Sequence, residues 1–486
     1  MTNFKDFQTY EHHGVLLPML PNSSGGGGVP GVESGATPLL SAALADCYAK
    51  ESRLAEYKPD TYNWLRTRVG SVEFCDPADA DYTPSKDVAC LAYLRNPANW
   101  LALKPLSSLL ASGRTIKFLL SFRHGNVTAV VKLPQKKFEL EPASETVAFH
   151  MDRVLGFRRV PPTAWVQIPV DYIKAAAASL GLFYAHWVES AVFTLKRAKA
   201  VTSRCEDARL RNVLGGPGPK CILASVQLWM WDVHLVEQTS FARHMPRLPA
   251  KRRGPGGRKS GLKFAPDAAE DDWMEKILGS AQTRAGGGGT PPSPDLLARE
   301  RWDQMAFDAI IANYDRWQGH NSYVLAACNP TLPCHAAQAR RLYERPSRST
   351  PRFIYVDQGS SFYREGVRSS SVFAPSHQPR FCHVNRATVE RLEQIALFAM
   401  RLSYGGVPAS GGVPRIASVV NGTVAKEEAK RAGEAICVRL LLPRLPPKIG
   451  VVLPHSLIHA ACRRVWSILA HRTRCLEANE STGLYF

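Results

Sequence analysis

The chain has 486 residues, 45% of them hydrophobic and 21% charged, which is the ordinary composition of a globular protein. Lys and Arg number 61 against 42 Asp and Glu, and the net charge of +19 suits acidic partners: nucleotides, acidic peptides, sulfated glycans, nucleic acid or anionic membranes. The eleven cysteines show no Cys-x-x-Cys spacing, which argues against a zinc site, and no window has the length of a transmembrane helix.

Residues 1–38 are predicted to be a disordered N-terminal segment, because Gly, Pro and Ser dominate its second half. The first residues are polar and no signal peptide is visible, which leaves open a cytoplasmic chain or one whose N-terminus is incomplete as written. Sequons at Asn22, Asn421 and Asn479 would carry glycans only in the secretory pathway. Cys328 and Cys334 could form a disulfide or remain as buried thiols.

Residues 39–228 are predicted to form a β-rich N-lobe with helices before it. The spacing of apolar residues favours helices over about 40–110. Residues 115–122 and 127–132 are predicted to form a hairpin whose turn contains Gly125, a candidate nucleotide-binding residue, and the returning strand carries Lys132. A lysine in that position reaches phosphate oxygens in kinase folds, but a lone strand lysine is usually a surface charge.

A helix follows the hairpin and is predicted to carry Glu145 in its first turn. Val147, Met151, Val154 and Leu155 give it one apolar face. A carboxylate in a first turn is also explained by its favourable interaction with the helix dipole, so only its context points to function.

Residues 229–478 are predicted to form a mostly helical C-lobe. Gly- and Pro-rich stretches near 251–262 and 285–295 are interpreted as surface insertions. The basic run 251–259 is interpreted as a solvated loop, since no aromatic residues interleave with it as they do in nucleic-acid interfaces.

Two carboxylates of the C-lobe are candidates for catalysis. The helix over 302–313 delivers Asp315 into a loop, where it could orient an attacking hydroxyl, although an ion pair or a helix cap would also explain it. The strand 353–356 ends at Asp357-Gln358-Gly359, an arrangement that holds metal ions in kinases. A strand lysine, a helix glutamate, a loop aspartate and a strand-Asp-x-Gly in this order indicate phosphoryl transfer.

Four segments carry a resemblance to a known family. Residues 149–162, FHMDRVLGFRRVPP, are similar to the FHLDRIL-FRRVPP segment of the secretory-pathway kinases, the family of the Golgi casein kinase and the glycosaminoglycan xylosylkinase. Residues 307–316 resemble the FD-x4-N-x-DR element, residues 353–359 the F-I-x-x-D-N-G element, and residues 451–457 a segment near the C-terminus. The resemblance runs from about residue 115 to 478.

The resemblance implies an α+β class and an atypical bilobal protein-kinase-like fold. It implies that Lys132 binds ATP phosphates, that Glu145 pairs with Lys132 or helps hold the metal, and that Asp315 is the catalytic base. It implies Asp357 as a ligand of Mn²⁺ or Mg²⁺, with Asn321 as a third candidate ligand.

The sequence departs from the family pattern at both C-lobe motifs. The family's Asp-Arg-His-His is Asp315-Arg316-Trp317-Gln318 here, and its Asp-Asn-Gly is Asp357-Gln358-Gly359. Asn321 lies six residues after Asp315, where kinases usually place a metal-binding asparagine five residues after the base.

The sequence therefore predicts a metal-dependent kinase that transfers the γ-phosphoryl group of ATP to a hydroxyl. The acceptor is a protein Ser or Thr, or a xylose of a proteoglycan linker. The alternative is a catalytically silent scaffold that activates a related kinase; a nucleic-acid-binding function rests only on the charge and the basic run. The resemblance implies the Golgi lumen or secretion, an acidic protein or proteoglycan substrate, and allows a homodimer or a heterodimer with a related kinase.

Overall fold

The computed structural model describes two compact units, formed by Met1–Phe149 with Val160–Trp231 and by His150–Arg159 with Asp232–Phe486. Within them it describes residues 15–16, 73–77, 80, 82–106, 115–124, 127–208, 210–211, 218–230, 233–236, 294–313, 315–316, 321–325, 352–363, 373, 384–403 and 430–477. Gly125, the three sequons, Cys328 with Cys334, the basic run and both insertions lie outside these residues.

A seven-stranded antiparallel sheet is the frame of the first unit. Half-exposed and buried residues alternate along the first four residues of β4, whereas β7 and β5 are buried along almost their whole length. The order is β1-β2-β3-β4-β7-β5, and β6 also pairs with β7. The strands are β1 Val15–Leu16, β2 Trp100–Pro105, β3 Lys117–Phe122, β4 Thr128–Lys132, β5 Thr163–Pro169, β6 Thr202–Arg204 and β7 Lys220–Leu228.

Helices precede and connect these strands. The first begins after Thr83, whose Oγ1 accepts a hydrogen bond from Lys86 N at 3.3 Å, and Pro84 occupies the first helical position, where its missing N–H costs nothing. The helices are α1 Pro84–Arg95, α2 Glu141–Val154, α3 Val170–Ser179, α4 Leu182–Val188 and α5 Lys196–Val201, with a π-helical turn at Glu189–Phe193 and 3-10 turns at Glu73–Cys75 and Pro97–Asn99.

Two disulfides fix the first unit. Cys75 is bonded to Cys90 and Cys205 to Cys221, at sequence separations of 15 and 16 residues. Closing a loop of that length stabilises a fold by about 3 kcal/mol through the lost freedom of the unfolded chain. The sequence alone did not reveal either pairing.

The second unit is mostly helical with a small sheet. Its antiparallel strands follow the order β10-β9-β8. Of the longest helices, α6 and α7 each pack against α9, and the core of this unit includes Trp302, Phe307 and Phe373. The elements are β8 Val233–Leu235, α6 Pro294–Ile311, β9 Tyr323–Leu325, β10 Phe353–Ile354, α7 Arg386–Ser403, a helical stretch over 430–435 that continues as a π-helix at Ile436–Leu441, a 3-10 turn at Leu442–Arg444, α8 Ile449–Val452 and α9 His455–Glu477.

The predicted α+β class is confirmed, with the sheet-rich part first and the helical part second. Two short strands lie in segments for which the sequence indicated disorder or mostly helix. Val15 and Leu16, predicted to be disordered, pair with β2. Residues 100–105, within the stretch 40–110, form the strand β2 and not a helix. A short apolar run of this kind can belong to a helix or to a strand, and here it is a strand that pairs with β3. No helix among the described residues has the length and apolarity needed to cross a bilayer.

The end of α2 is a Schellman motif. Gly156 has φ 73 and donates to Arg153 O at 3.3 Å, while Phe157 N donates to Asp152 O at 3.0 Å. A side chain at 156 would meet a second obstacle, because a Cβ there would lie 2.8 Å from Arg391 Cδ. The helix therefore ends where glycine is required by both backbone conformation and space.

Arg159, in the exit from α2, joins three elements of the second unit. Its guanidinium forms a two-point ion pair with Glu300 of α6, with Nε donating to Oε2 at 3.1 Å. Glu300 Oε2 also accepts from Phe353 N at 3.0 Å, and Arg159 O accepts from Tyr355 N at 3.0 Å. Burial by itself disfavours the charged guanidinium, yet the attraction of Glu300 keeps the pKa of Arg159 raised above its usual value.

Asp303, one turn beyond Glu300, is a perturbed carboxyl in the same network. Its Oδ1 accepts from Asn385 Nδ2 at 3.0 Å. Burial raises its pKa to about 6, against the lowering effects of a hydrogen bond with Thr388 and the charge of Arg391. The folded protein therefore favours the protonated form of Asp303 more than the unfolded chain does.

We predict that Asp303→Asn changes the pH dependence of stability. Because the pKa is raised on folding, the contribution of Asp303 is fully present below pH 4 and is lost as the pH rises through about 6. Relative to the native chain, the variant should gain roughly 1–2 kcal/mol between pH 4 and 7, a value reduced by the partial exposure of the side chain. Urea unfolding at several pH values measures this difference, and a difference that is flat with pH would contradict the assignment.

Candidate functional site

Lys132, at the end of β4, is a buried cation of the first unit, with 3% of its surface exposed. Its Nζ forms a hydrogen-bonded ion pair with Glu145 of α2 and lies 3.4 Å from Glu141 Oε1. A buried ammonium is tolerated only with such partners. The alternative of a surface lysine is therefore wrong, and the pairing implied by the resemblance is confirmed.

The sequence predicted that Glu145 lies in the first turn of its helix, and this prediction is wrong. The helix begins at Glu141, one turn earlier, with Pro142 in its second position, where proline is compatible with a helix. Glu141 is thus the first-turn carboxylate. Because the side chains at i and i+4 lie on one face of a helix, Glu141 and Glu145 both reach Lys132.

Two glutamines hold the carboxylates in place. Gln227 Nε2, on β7, donates to Glu145 Oε2 at 3.3 Å and to Thr163 Oγ1 at 2.9 Å. Gln135 Nε2 donates to Glu141 Oε2 at 2.7 Å. The sequence prediction did not include Glu141 or either glutamine. Alternation along β7 places Gln227 on the same face of the sheet as Lys132. The prediction could not use this, because it identified only β3, and not β7, as a neighbour of β4.

Ser225 is an unsatisfied polar residue next to this cluster. It is opposite Lys132 in the register of β4 and β7 and is fully buried. Among the described residues its Oγ has no hydrogen-bond partner. Buried hydroxyl groups nearly always have a hydrogen-bond partner, so Ser225 Oγ is a position where a water or a bound group would complete the hydrogen bonding.

The second unit positions Asp315 just beyond α6. Asn313 caps the turn, since its Oδ1 accepts from Asp315 N at 3.1 Å. Asn321 Nδ2 donates to Asp315 Oδ2 at 3.0 Å, so the structure brings these two predicted site residues together. Asp315 itself is exposed.

Asp357 follows β10 and the extended residues after it. Its φ of 61 is unusual for a residue with a side chain and is maintained by its neighbours. Gln358, which replaces the family's asparagine, is buried, and its Oε1 accepts from Asn313 Nδ2 at 2.9 Å. This hydrogen bond ties the Asp357 segment to the Asp315 segment within the second unit.

Arg316 makes a second link between the same segments. Its guanidinium donates to Val356 O at 2.5 Å, lies 3.7 Å from Asp308 Oδ2, and is 5.8 Å above the ring of Tyr355. The side chain is buried, with 4% of the residue's surface exposed. Arg316 therefore places the residues before Asp357 relative to Asp315 and is a positioning residue.

Backbone strain is concentrated in these segments. Ala312, Asn321, Asp357 and Phe362 have φ values of 53, 52, 61 and 64. Phe362 N donates to Ile311 O at 2.9 Å, which closes the segment onto the end of α6. Left-handed conformations at residues other than glycine cost energy and occur preferentially where function requires a fixed geometry.

Comparisons with known proteins give structural matches only. No protein-family model matches the chain, and no curated protein matches it significantly. The chain is similar to a crystal structure of the Golgi casein kinase at 16% identity and a TM-score of 0.43, covering 96% of this chain and 98% of that chain. A structure of the Golgi casein kinase with Mn/ADP bound matches at 16% identity and 0.40, covering 95% and 96%. A structure of hydra Fam20 with sugar matches at 16% identity and 0.36, covering 76% and 85%. The Golgi casein kinase, which belongs to the family that the sequence motifs resemble, is thus among the matched structures.

We predict that Lys132→Met strongly destabilises the first unit. It would leave two buried carboxylates without their ammonium, a loss of about 3–5 kcal/mol. The double variant with Glu145→Gln should lose less than the sum of the two single changes, because the pair acts as a unit. Urea unfolding of the three variants measures the coupling.

The matched control for this cycle is Lys174→Met. Lys174 and Glu189 form an ion pair in the same unit, 3.0 Å apart, with about half of each side chain exposed. An exposed pair contributes only about 0–1 kcal/mol. Equal losses for Lys132→Met and Lys174→Met would contradict a buried ion pair at Lys132.

Proposed function

We propose that the protein is a metal-dependent kinase that transfers the γ-phosphoryl group of ATP to a hydroxyl acceptor. The observation that carries the proposal is the buried pair of Lys132 with Glu145. A sheet lysine fixed by a helix glutamate is the part of a kinase that holds nucleotide phosphates. The order of motifs in the sequence and their resemblance to the secretory-pathway kinases support it.

Lys132 would neutralise charge on the phosphates of ATP. Its ammonium carries a positive charge in surroundings that exclude water, where electrostatic interactions are stronger than in solvent. Glu145 and Glu141 hold that ammonium in one orientation before substrate binds. Such preorganisation removes the cost of rearranging the charge during the reaction.

The chain's carboxylates fit a divalent cation. Glu141, Glu145 and Asp357 offer oxygen ligands of the kind that Mg²⁺ and Mn²⁺ prefer, and around Lys132 there is one more carboxylate than ammonium. We assign Asp357 and Glu145 as ligands, with Asn321 offering its amide oxygen. When bound, the ion would offset the negative charge of the phosphates.

Asp315 would orient the acceptor hydroxyl and take its proton as the bond to phosphorus forms. Asn321 Nδ2 donates to Oδ2 of Asp315 and so restricts the rotation of the carboxylate. Because phosphoryl transfer depends mainly on positioning and charge, a fixed carboxylate at the acceptor is sufficient for this role.

The compartment and the acceptor follow from charge and cysteine chemistry. The disulfides Cys75–Cys90 and Cys205–Cys221 indicate folding in an oxidising compartment, and with the sequence resemblance they support the secretory lumen. The net charge of +19 suits an acidic protein or an anionic glycan as substrate. With the sequence resemblance, this charge supports our proposal that the acceptor is a Ser or Thr hydroxyl or a xylose hydroxyl of a proteoglycan linker.

We predict that Asp315→Asn and Asp357→Asn each lower phosphoryl transfer by about 10²- to 10⁴-fold, since one removes the proton acceptor and the other a metal ligand. The assay supplies labelled ATP and Mn²⁺ with casein and a xylose-containing linker glycan in parallel reactions. Asp171→Asn, at an exposed position of α3, is the matched control and should keep full activity. Undiminished transfer by the Asp357 variant would overturn the assignment.

We also predict that the native chain binds Mn²⁺-ATP and that this binding depends on Lys132. Binding stabilises the folded state by mass action, so Mn²⁺-ATP should raise the melting temperature of the native chain. The Lys132→Arg variant keeps the charge but not the shape of the ammonium and should show a smaller rise. A native chain that shows no rise and no transfer would instead support the scaffold function.

A further inference from the structure

Two cysteines in the second unit lie side by side as thiols. Cys437 belongs to the π-helix Ile436–Leu441 and Cys462 to α9, and both are fully buried. After burial, Cys437 is the neighbour that contributes most to the raised pKa of the Cys462 thiol, so the two thiols are close to each other. The pair lies outside the candidate site, and no motif of the sequence singles it out.

The thiols meet because their helices cross at very short distance. Gly433 lies one turn before Cys437, and Arg463 directly follows Cys462. A Cβ at 433 would lie 2.7 Å from Arg463 Cα, so only glycine allows the backbones to approach this closely. A close crossing is also what a disulfide needs, since its Cα atoms lie about 4.4–6.8 Å apart.

A polar contact fixes the same crossing on its solvent side. His459 Nδ1 lies 2.9 Å from Glu434 Oε2, and these residues precede Cys462 and Cys437 by three positions. Residues three apart share a helix face, so both helices present a polar residue and then a thiol along one line of contact. The thiols are therefore aligned by neighbours on either side.

The disulfides of the first unit indicate that the cysteine pair Cys437 and Cys462 folds in an oxidising environment. In the first unit the described cysteines are bonded as Cys75–Cys90 and Cys205–Cys221. A compartment that forms those bonds also oxidises other adjacent thiols.

We propose that Cys437 and Cys462 form a disulfide that joins the π-helical segment to α9 when the chain folds under oxidising conditions. The oxidant is a low-molecular-weight disulfide such as glutathione disulfide. One cysteine loses its proton and attacks the external disulfide, which releases one thiolate and gives a mixed disulfide. The other cysteine, once deprotonated, displaces the second thiolate, so two electrons pass to the oxidant and two external thiols are formed.

The timing of this bond is set by burial. Burial raises the pKa of the Cys462 thiol well above its usual value, with the neighbouring Cys437 contributing in the same direction. The thiolate that must attack is scarce once the helices have packed, and an external disulfide has no access to fully buried sulfur. The bond therefore forms during folding, and a chain folded in reducing conditions oxidises slowly.

The bond would restrain the helix that supports the end of α6. Arg464, two residues beyond Cys462, donates from Nε to Ile310 O at 2.6 Å. Ile310 lies in the last turn of α6, directly before the residues that lead to Asp315. A restrained α9 keeps this support in place without touching the reacting groups.

The direct test is disulfide mapping of the full chain. Protein folded with glutathione disulfide is denatured, blocked with N-ethylmaleimide and digested without reduction. The expected product is a linked pair of peptides carrying Cys437 and Cys462, absent when folding is done with a reducing agent. Cys75–Cys90 and Cys205–Cys221 are internal standards for oxidation. Blocked Cys437 and Cys462 in a sample where both standards are intact would overturn the proposal.

A stability measurement separates the bond from simple packing. In oxidised protein, Cys437→Ser and Cys462→Ser should each lower the melting temperature by roughly 5–10 °C, and the double variant by little more. In reduced protein both shifts should be much smaller, because the native chain then has no bond to lose. Equal shifts in the two preparations would show that the thiols act only through packing and would contradict the proposal.

Discussion

The ion pair between Arg159 and Glu300 is the constraint on which the second unit depends. Arg159 comes from the exit of α2, Glu300 from α6, and Glu300 also binds Phe353 N of β10. α6 leads to Asp315 and β10 leads to Asp357, so one partly buried pair sets the starting points of both segments. Breaking such a pair leaves an uncompensated charge and costs several kcal/mol. The Arg-Arg-Val-Pro-Pro segment, through which the sequence resembles the secretory-pathway kinases, therefore has a structural role of its own in the second unit.

The sequence predicted those features that depend on segments close together in the chain. A hairpin followed directly by an amphipathic helix brings a strand lysine and a helix carboxylate together through short connections, and Lys132 and Glu145 do pair. Glu141 was missed because the start of a helix is the least certain part of a sequence prediction, and Pro142 occupies its second position. Gln227 was missed because its contact with Glu145 spans 82 residues and depends on which strand lies next to β4.

Other features depend on tertiary contacts that leave no periodic signal. The resemblance pointed to Asn321 as a metal ligand, and the structure shows that Asn321 Nδ2 donates to Asp315 Oδ2, while the backbone of Asn321 has a positive φ. Gln358, a departure from the family pattern, bonds to Asn313 and so has a role of its own. The pairing of cysteines is equally invisible in sequence, since eleven cysteines allow many combinations.

The end of α2 has a consequence for how this chain can change over time. Gly156 is held by a left-handed backbone and by the side chain of Arg391, whose Nε binds Leu155 O and whose guanidinium lies over the ring of Phe157. A larger residue at 156 would have to displace Arg391, and a smaller residue at 391 would give up both contacts while leaving the backbone requirement unchanged. Neither substitution is neutral for stability when it occurs first. Evolution can therefore change positions 156 and 391 only through a less stable single variant.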